Sequence, residues 1–158
     1  MSRGLGMSRK TLFALMVISA VVGLMMSAYL TYLSSTPPTV CPVGDYGVFS
    51  CTDVIWSKYA DFYGVSVAML GLGWFIIALG LIIYAWQNGL SIIGLVAWSV
   101  LGAVGVAGFV HTEVFLLGSI CQLCTITHIA GLVILALSII TLRDHRLGKR
   151  GAIGVRRG

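Results

Sequence analysis

Four cysteines carry the chemistry this chain is equipped for. Cys41 and Cys51 stand in a polar loop, and Cys121 and Cys124 form a C-x-x-C that opens the last apolar run. Thiols react as thiolates, so their reactivity follows access and whatever stabilises the anion; a helix N-terminus does so through its macrodipole. A C-x-x-C at a helix start reads as a redox centre, and a second dithiol in another loop reads as a relay that exchanges disulfides with it. His128 follows Cys124 by four residues, which puts both on one helical face about one turn apart. An ionisable group inside an apolar run is a functional candidate by default, and the competing reading is a histidine bonded to the backbone of a neighbouring helix. His111 and Glu113 lie at the end of the preceding run and are expected to be solvated loop residues.

The elements that position these residues are set by composition. With 58% hydrophobic and only 9% charged residues, and a mean hydropathy of +1.00, the chain cannot hide its apolar surface in a small soluble core. Four apolar runs stand out, 11–32, 65–86, 91–117 and 121–142, each with the roughly 20 residues that cross a hydrocarbon layer about 30 Å thick. Gln87-Asn88-Gly89 divides the second run from the third by turn chemistry. The expectation is an all-α membrane protein: a four-transmembrane-helix bundle forming one integral membrane domain over 1–158, with basic tails at 1–10 and 143–158. The first run follows Arg9 and Lys10 and includes Ser27-Ala28, but it exceeds the 7–15 residues or so of a signal-peptide core, so it is expected to be retained as an anchor.

Basic residues orient the bundle. Nine of the ten lysines and arginines lie in the tails, which predicts that both termini are cytoplasmic. Four spans then place the loop over 33–64 and the turn over 111–120 on the extracytoplasmic side of the cell membrane. All four cysteines fall there, where disulfides persist. The net charge of +5 does not predict a nucleic-acid partner, because the positive residues flank spans and form no basic domain with interleaved aromatics. They are expected to set topology and to meet anionic lipid headgroups.

Pro37-Pro38 marks the end of the first helix. Between Cys41 and Cys51, Gly44 and Gly47 give enough freedom for the two thiols to meet, although sequence alone assigns no connectivity. After Cys51, the spacing of Val54, Ile55, Tyr59, Phe62 and Tyr63 predicts a short amphipathic helix across the mouth of the bundle, with an interfacial aromatic belt as the plainer reading. Ser99, Ala103 and Ala107, flanked by Gly102, Gly105 and Gly108, read as a packing stripe for a neighbouring helix, and Gly71, Gly73 and Gly80 read the same way. Trp74 and Trp98 are expected to pack rather than to line a pocket for a ring-shaped cofactor.

In this order, a first helix, a loop with Cys41 and Cys51, two further helices, then Cys121-Gln122-Leu123-Cys124 leading the fourth, the chain resembles the vitamin K epoxide reductase family in its prokaryotic form without a fused thioredoxin domain. The resemblance spans roughly 11–142, and Ser57 matches the family's loop serine. It implies that a reduced thioredoxin-like partner outside the membrane attacks the loop pair at Cys41, that Cys51 exchanges with Cys121, and that Cys124 passes electrons to a membrane quinone of the menaquinone, ubiquinone or vitamin K type. It also implies quinone contacts for His128 and Ser57. The chain departs from animal relatives at His128, where they carry a tyrosine thought to bond a quinone oxygen; a histidine can also donate that bond. The Cys41–Cys51 spacing is longer than theirs.

Other classes make different demands. Oxidases of the DsbB type order their two cysteine pairs the other way round. A metal-binding or transport protein could use Cys121, Cys124 and His128 as soft ligands, but transporters gather polar groups at mid-membrane and these lie at its edge. A structural membrane protein with two inert disulfides is the remaining reading.

Overall fold

A computed structural model describes residues 8–36 and 45–155. Cys41, with Pro37, Pro38 and Gly44 of the same loop, and Arg3, Arg156 and Arg157 of the tails, lie outside the described residues. Helix α1 (Arg9–Ser35) begins where the Ser8 hydroxyl accepts the Thr11 amide at 3.2 Å, which satisfies one of the amides a helix start leaves unpaired. It ends in a run of hydroxyls that bond back to the helix, among them Ser34 and Ser35 to the Thr31 carbonyl at 2.9 and 2.8 Å. Helices α3 (Val67–Gln87) and α4 (Ile92–His111) are joined through a short turn at Gly89–Ser91. Here Gly89 sits close to α5 (Gln122–Val155): a Cβ at this position would stand 2.9 Å from His145 Nε2, so a side chain would require that imidazole to shift. The α4 backbone continues into a π-helical segment, Thr112–Leu117.

Four helical stretches, Arg9–Ser35, Val67–Gln87, Ile92–Leu117 and Gln122–Leu147, are long and apolar enough to cross a membrane. Each extends the corresponding apolar run or trims it by a residue or two, mostly because hydroxyl and turn residues at the ends prolong or stop the helix. Helix α1 packs against α3 and α5, and α4 against the same two. Met16, Ala20, Phe75, Ile82, Leu95 and Ile134 meet in the centre, while Ile18, Met25, Ile76, Ile83 and Ile93 are exposed, as lipid-facing residues of a membrane bundle are. At one end of the bundle, the Arg9 guanidinium bonds the Trp86 carbonyl at 3.0 Å and lies over the Phe13 and Trp86 rings. The cysteines lie at the other end.

Two expectations need correction. The amphipathic helix after Cys51 exists but starts earlier and is shorter: α2 spans Cys51–Ile55, and the aromatic residues beyond it fold into a hairpin, β1 (Asp61–Phe62) against β2 (Val65–Ser66). Its two loop residues, Tyr63 and Gly64, both have positive φ, 52° and 82°, as a tight hairpin loop of this length demands. The apolar spacing fits both shapes, and the turn decides between them. The second correction concerns the glycines of α4. Only Gly102 serves close approach, since a Cβ there would strike the Trp74 indole; at Gly105 and Gly108 nothing lies within 4 Å of the Cβ position. Those two leave space rather than fill it.

Gly23 of α1 makes a similar approach to the Phe75 ring, which is itself buried. Gly23→Ala should therefore lose stability by about 1–3 kcal/mol through overpacking, whereas Gly73→Ala, with open space at the Cβ position, should gain up to about 1 kcal/mol from helix propensity. Thermal unfolding in detergent measures both; equal shifts would contradict this packing.

Candidate functional site

Two pieces of local structure bring the loop to the start of α5. A turn over 46–49, with Gly47 at φ 60°, closes on itself through paired amide–carbonyl bonds between Tyr46 and Phe49 at 2.8 and 3.0 Å. Its Phe49 bridges to Ile120 in parallel, and the Ile120 amide bonds the Val48 carbonyl at 2.8 Å. The residue before the C-x-x-C is thus stitched to the residues before Cys51. Ser50 then caps α2, its hydroxyl accepting the Asp53 amide at 3.1 Å, which fixes Cys51 as the first helical residue. The result is a Cys51 Sγ to Cys121 Sγ separation of 3.2 Å.

A disulfide needs about 2.0 Å, so the two sulfurs are in contact and roughly 1 Å of closure separates contact from bond. Both are buried, at 2% and 0% exposure, under Leu30, Leu33 and Leu123. The Cys124 amide donates to Cys121 Sγ at 3.3 Å, so the first turn of α5 holds its own cap sulfur. Cys124 is less buried and sits in the wall of a cavity of about 810 Å³. This lies within the several hundred cubic ångströms of ordinary small-molecule sites.

The cavity runs from the α2 and hairpin region down between α3, α4 and α5. Gly71, Gly102, Gly105 and Gly131 line it; of these four, Gly105 is the one with nothing within 4 Å of its Cβ position, so its missing side chain leaves open volume, whereas the Trp74 indole fills the place at Gly102. Trp74 forms part of the wall and Trp98 does not; Trp98 instead stacks on Trp74 with centroids 6.3 Å apart and donates its Nε1–H to the Trp74 carbonyl at 3.2 Å. The pocket reading thus holds for one of these tryptophans and the packing reading for both. His128 also lines the cavity, its ring parallel to Phe109 with centroids 6.2 Å apart. Ser57 lies in the cavity wall, where its hydroxyl donates to the Val54 carbonyl at 2.9 Å and accepts the Tyr59 amide at 3.3 Å.

Of the residues singled out by type and spacing, Cys51, Cys121, Cys124, Ser57 and His128 therefore gather at one end of the bundle, and Cys41 lies outside the described residues. Glu113 is the residue whose placement the sequence reading misjudged. It is not a solvated loop residue: it is 6% exposed, lines the cavity, and its carboxyl faces the Cys121 backbone amide. His111 remains exposed. The π-helical turn makes the difference, because it winds the chain wider between Thr112 and Leu117 and ends at Gly118 in the left-handed region, with the Gly118 and Ser119 amides both bonded to the Glu113 carbonyl. Among the described residues no three histidine, cysteine, aspartate or glutamate side chains form a group that could hold a metal ion.

A four-helix membrane bundle with two contacting cysteines from separate loops, and a third cysteine in the wall of an adjoining apolar cavity, defines a membrane protein built for thiol–disulfide chemistry. The family model described as the vitamin K epoxide reductase family matches residues 14–139, and the chain belongs to that family. No curated protein matches it. Membership makes the chain a multi-pass membrane oxidoreductase that works, in general terms, by thiol–disulfide exchange.

The sulfur contact makes a direct demand. In a Cys41→Ser, Cys124→Ser double variant, mild oxidation should join Cys51 to Cys121 nearly quantitatively, as read by peptide mass mapping; intermolecular disulfides in their place would contradict the geometry.

Proposed function

We propose that this protein passes electrons from a thioredoxin-like partner outside the cell membrane to a membrane quinone, supporting disulfide formation in extracytoplasmic proteins. The observation that carries the reading is the 3.2 Å contact between Cys51 and Cys121 beside a Cys124 that faces the cavity. The partner's dithiol reduces the loop pair at Cys41. Cys51 then attacks Cys121 of the Cys121–Cys124 disulfide, and Cys124 leaves as the thiol nearest the cavity. Each step is attack of a thiolate on a disulfide sulfur through a mixed disulfide. With the basic tails cytoplasmic, the cysteines meet their partner on the side where disulfides persist.

The residues present fit a quinone. The cavity is apolar over most of its wall, large enough for a ring with the start of an isoprenoid tail, and bordered by polar side chains at its cysteine end. His128 and Cys124 would flank the ring, the glycine-lined wall would take its flat face, and Ser57 borders the same space. The quinone supplies an acceptor for two electrons and two protons. His128 supplies a hydrogen-bond donor where negative charge develops, and the apolar wall strengthens that bond by excluding water.

The reading separates the two cysteine pairs by function. Cys124→Ser should abolish quinone reduction with any reductant while the loop still exchanges disulfides with a protein partner. Cys41→Ser should block electron entry from the partner but spare turnover with dithiothreitol, which reaches the membrane-edge pair directly. Equal loss in both variants with dithiothreitol would refute the division. His128→Ala should slow quinone reduction on the order of 10²-fold, about 3 kcal/mol, as loss of one preorganised donor does, and His128→Tyr should recover part of the rate; a normal rate per folded alanine variant would remove His128 from the site.

A further inference from the structure

The relay above moves protons as well as electrons, and its central sulfur is shut off from water. When Cys51 attacks Cys121, the Cys121–Cys124 bond breaks and Cys124 takes the electron pair. When Cys41 then attacks Cys51, the Cys51–Cys121 bond breaks and Cys121 leaves as a thiolate. The loop pair ends as the disulfide and the C-x-x-C as the dithiol, so two protons have left Cys41 and Cys51 while Cys124 and Cys121 must each gain one. Cys124 stands at the cavity wall, but Cys121 is 0% exposed, under leucines, so its proton has to come from the protein.

Glu113 is placed for that task. The residue is 6% exposed, its carboxyl faces the Cys121 amide, and it also borders the cavity that Cys124 borders. The π-helical turn, the left-handed Gly118 and the two amides on the Glu113 carbonyl hold it there. Among the described residues no lysine or arginine lines the cavity, so none of them holds the carboxyl in an ion pair there. The other titratable side chains in that wall are Tyr59, Cys124 and His128. Of these, His128 is one turn further along α5, stacked on Phe109, and Tyr59 is well exposed. A carboxyl at membrane depth is costly, and such groups mark proton paths.

We propose that Glu113 is the proton carrier of the buried thiol pair: it gives its proton to the Cys121 sulfur as the Cys51–Cys121 bond breaks, and takes it back when the pair is reoxidised. Of the two protons released by Cys41 and Cys51, one ends on Cys124 and the other leaves to the outer solution, so Glu113 is a carboxylate while the C-x-x-C is reduced; on reoxidation the Cys124 proton and one from the outer solution are available to the acceptor. This assignment builds on the cysteine relay proposed above, but its test needs no quinone, so the two can fail separately.

The oxidised chain in detergent is mixed with dithiothreitol, quenched in acid at intervals, and the Cys121 and Cys124 thiols are counted by mass after alkylation. Glu113→Gln, nearly isosteric and still able to accept the Cys121 amide, should slow their appearance by about 10²-fold, the usual effect of losing a positioned proton donor, with the same end point as the wild type. Glu113→Asp, which keeps the carboxyl, should fall between. Rates for Glu113→Gln within about twofold of wild type would overturn the proposal. A second measurement uses the unaltered chain: Glu113 is its single glutamate, so carboxyl-labelled ¹³C-glutamate marks it alone in infrared difference spectra. A reduced-minus-oxidised spectrum with a label-shifted carboxyl band supports proton transfer at Glu113, and one without any glutamate band overturns it even if the variants do not fold. Wild-type exchange that depends on Glu113 without any quinone reduction would leave this assignment standing and sink the proposed acceptor.

Discussion

The structure turns on one contact between two buried sulfurs. Cys51 comes from a loop between α1 and α3, Cys121 from the residue before α5, and seventy residues of chain separate them. Holding them 3.2 Å apart requires the Ser50 cap, the turn over 46–49 and the Phe49–Ile120 bridge. The leucines that cover them exclude water, which protects a mixed disulfide from stray exchange and makes proton supply a matter for the protein.

The cavity is the complementary half of the design. Helix packing in lipid gains little from hydrophobicity, so small residues ordinarily serve close approach. Here Gly23 and Gly102 do serve it, whereas Gly105 leaves a hollow that reaches Cys124. One residue type thus performs opposite tasks on the same helices. Trp74, pinned by Trp98 and seated against Gly102, forms a rigid wall between packed core and open space.

The spans were legible in the sequence because twenty-residue apolar runs have few alternatives, and the cysteines were legible because C-x-x-C at a helix start has a definite chemistry. The short helix at Cys51 was legible in kind but not in extent. Ser50 with Asp53 three residues on carried a capping signal for its true start, while the apolar spacing of 54–63 served a hairpin as readily as a helix, and Tyr63 gives little warning of a positive φ. Glu113 was hidden for a different reason: a polar residue at the end of an apolar run reads as a solvated loop residue, and a π-helical turn has no sequence signature. The hint available was a lone glutamate ahead of Gly118 and a C-x-x-C.

The central claim is that electrons cross from loop to bundle through Cys51 and Cys121. Acid quenching of the wild-type chain during a single turnover with a reduced thioredoxin-like protein, followed by mass mapping of every disulfide, tests it directly. The account predicts a transient Cys51–Cys121 disulfide that rises as the Cys121–Cys124 disulfide falls and decays as the Cys41–Cys51 disulfide returns. Turnover in which Cys121–Cys124 is reduced and no Cys51–Cys121 species ever forms would contradict it.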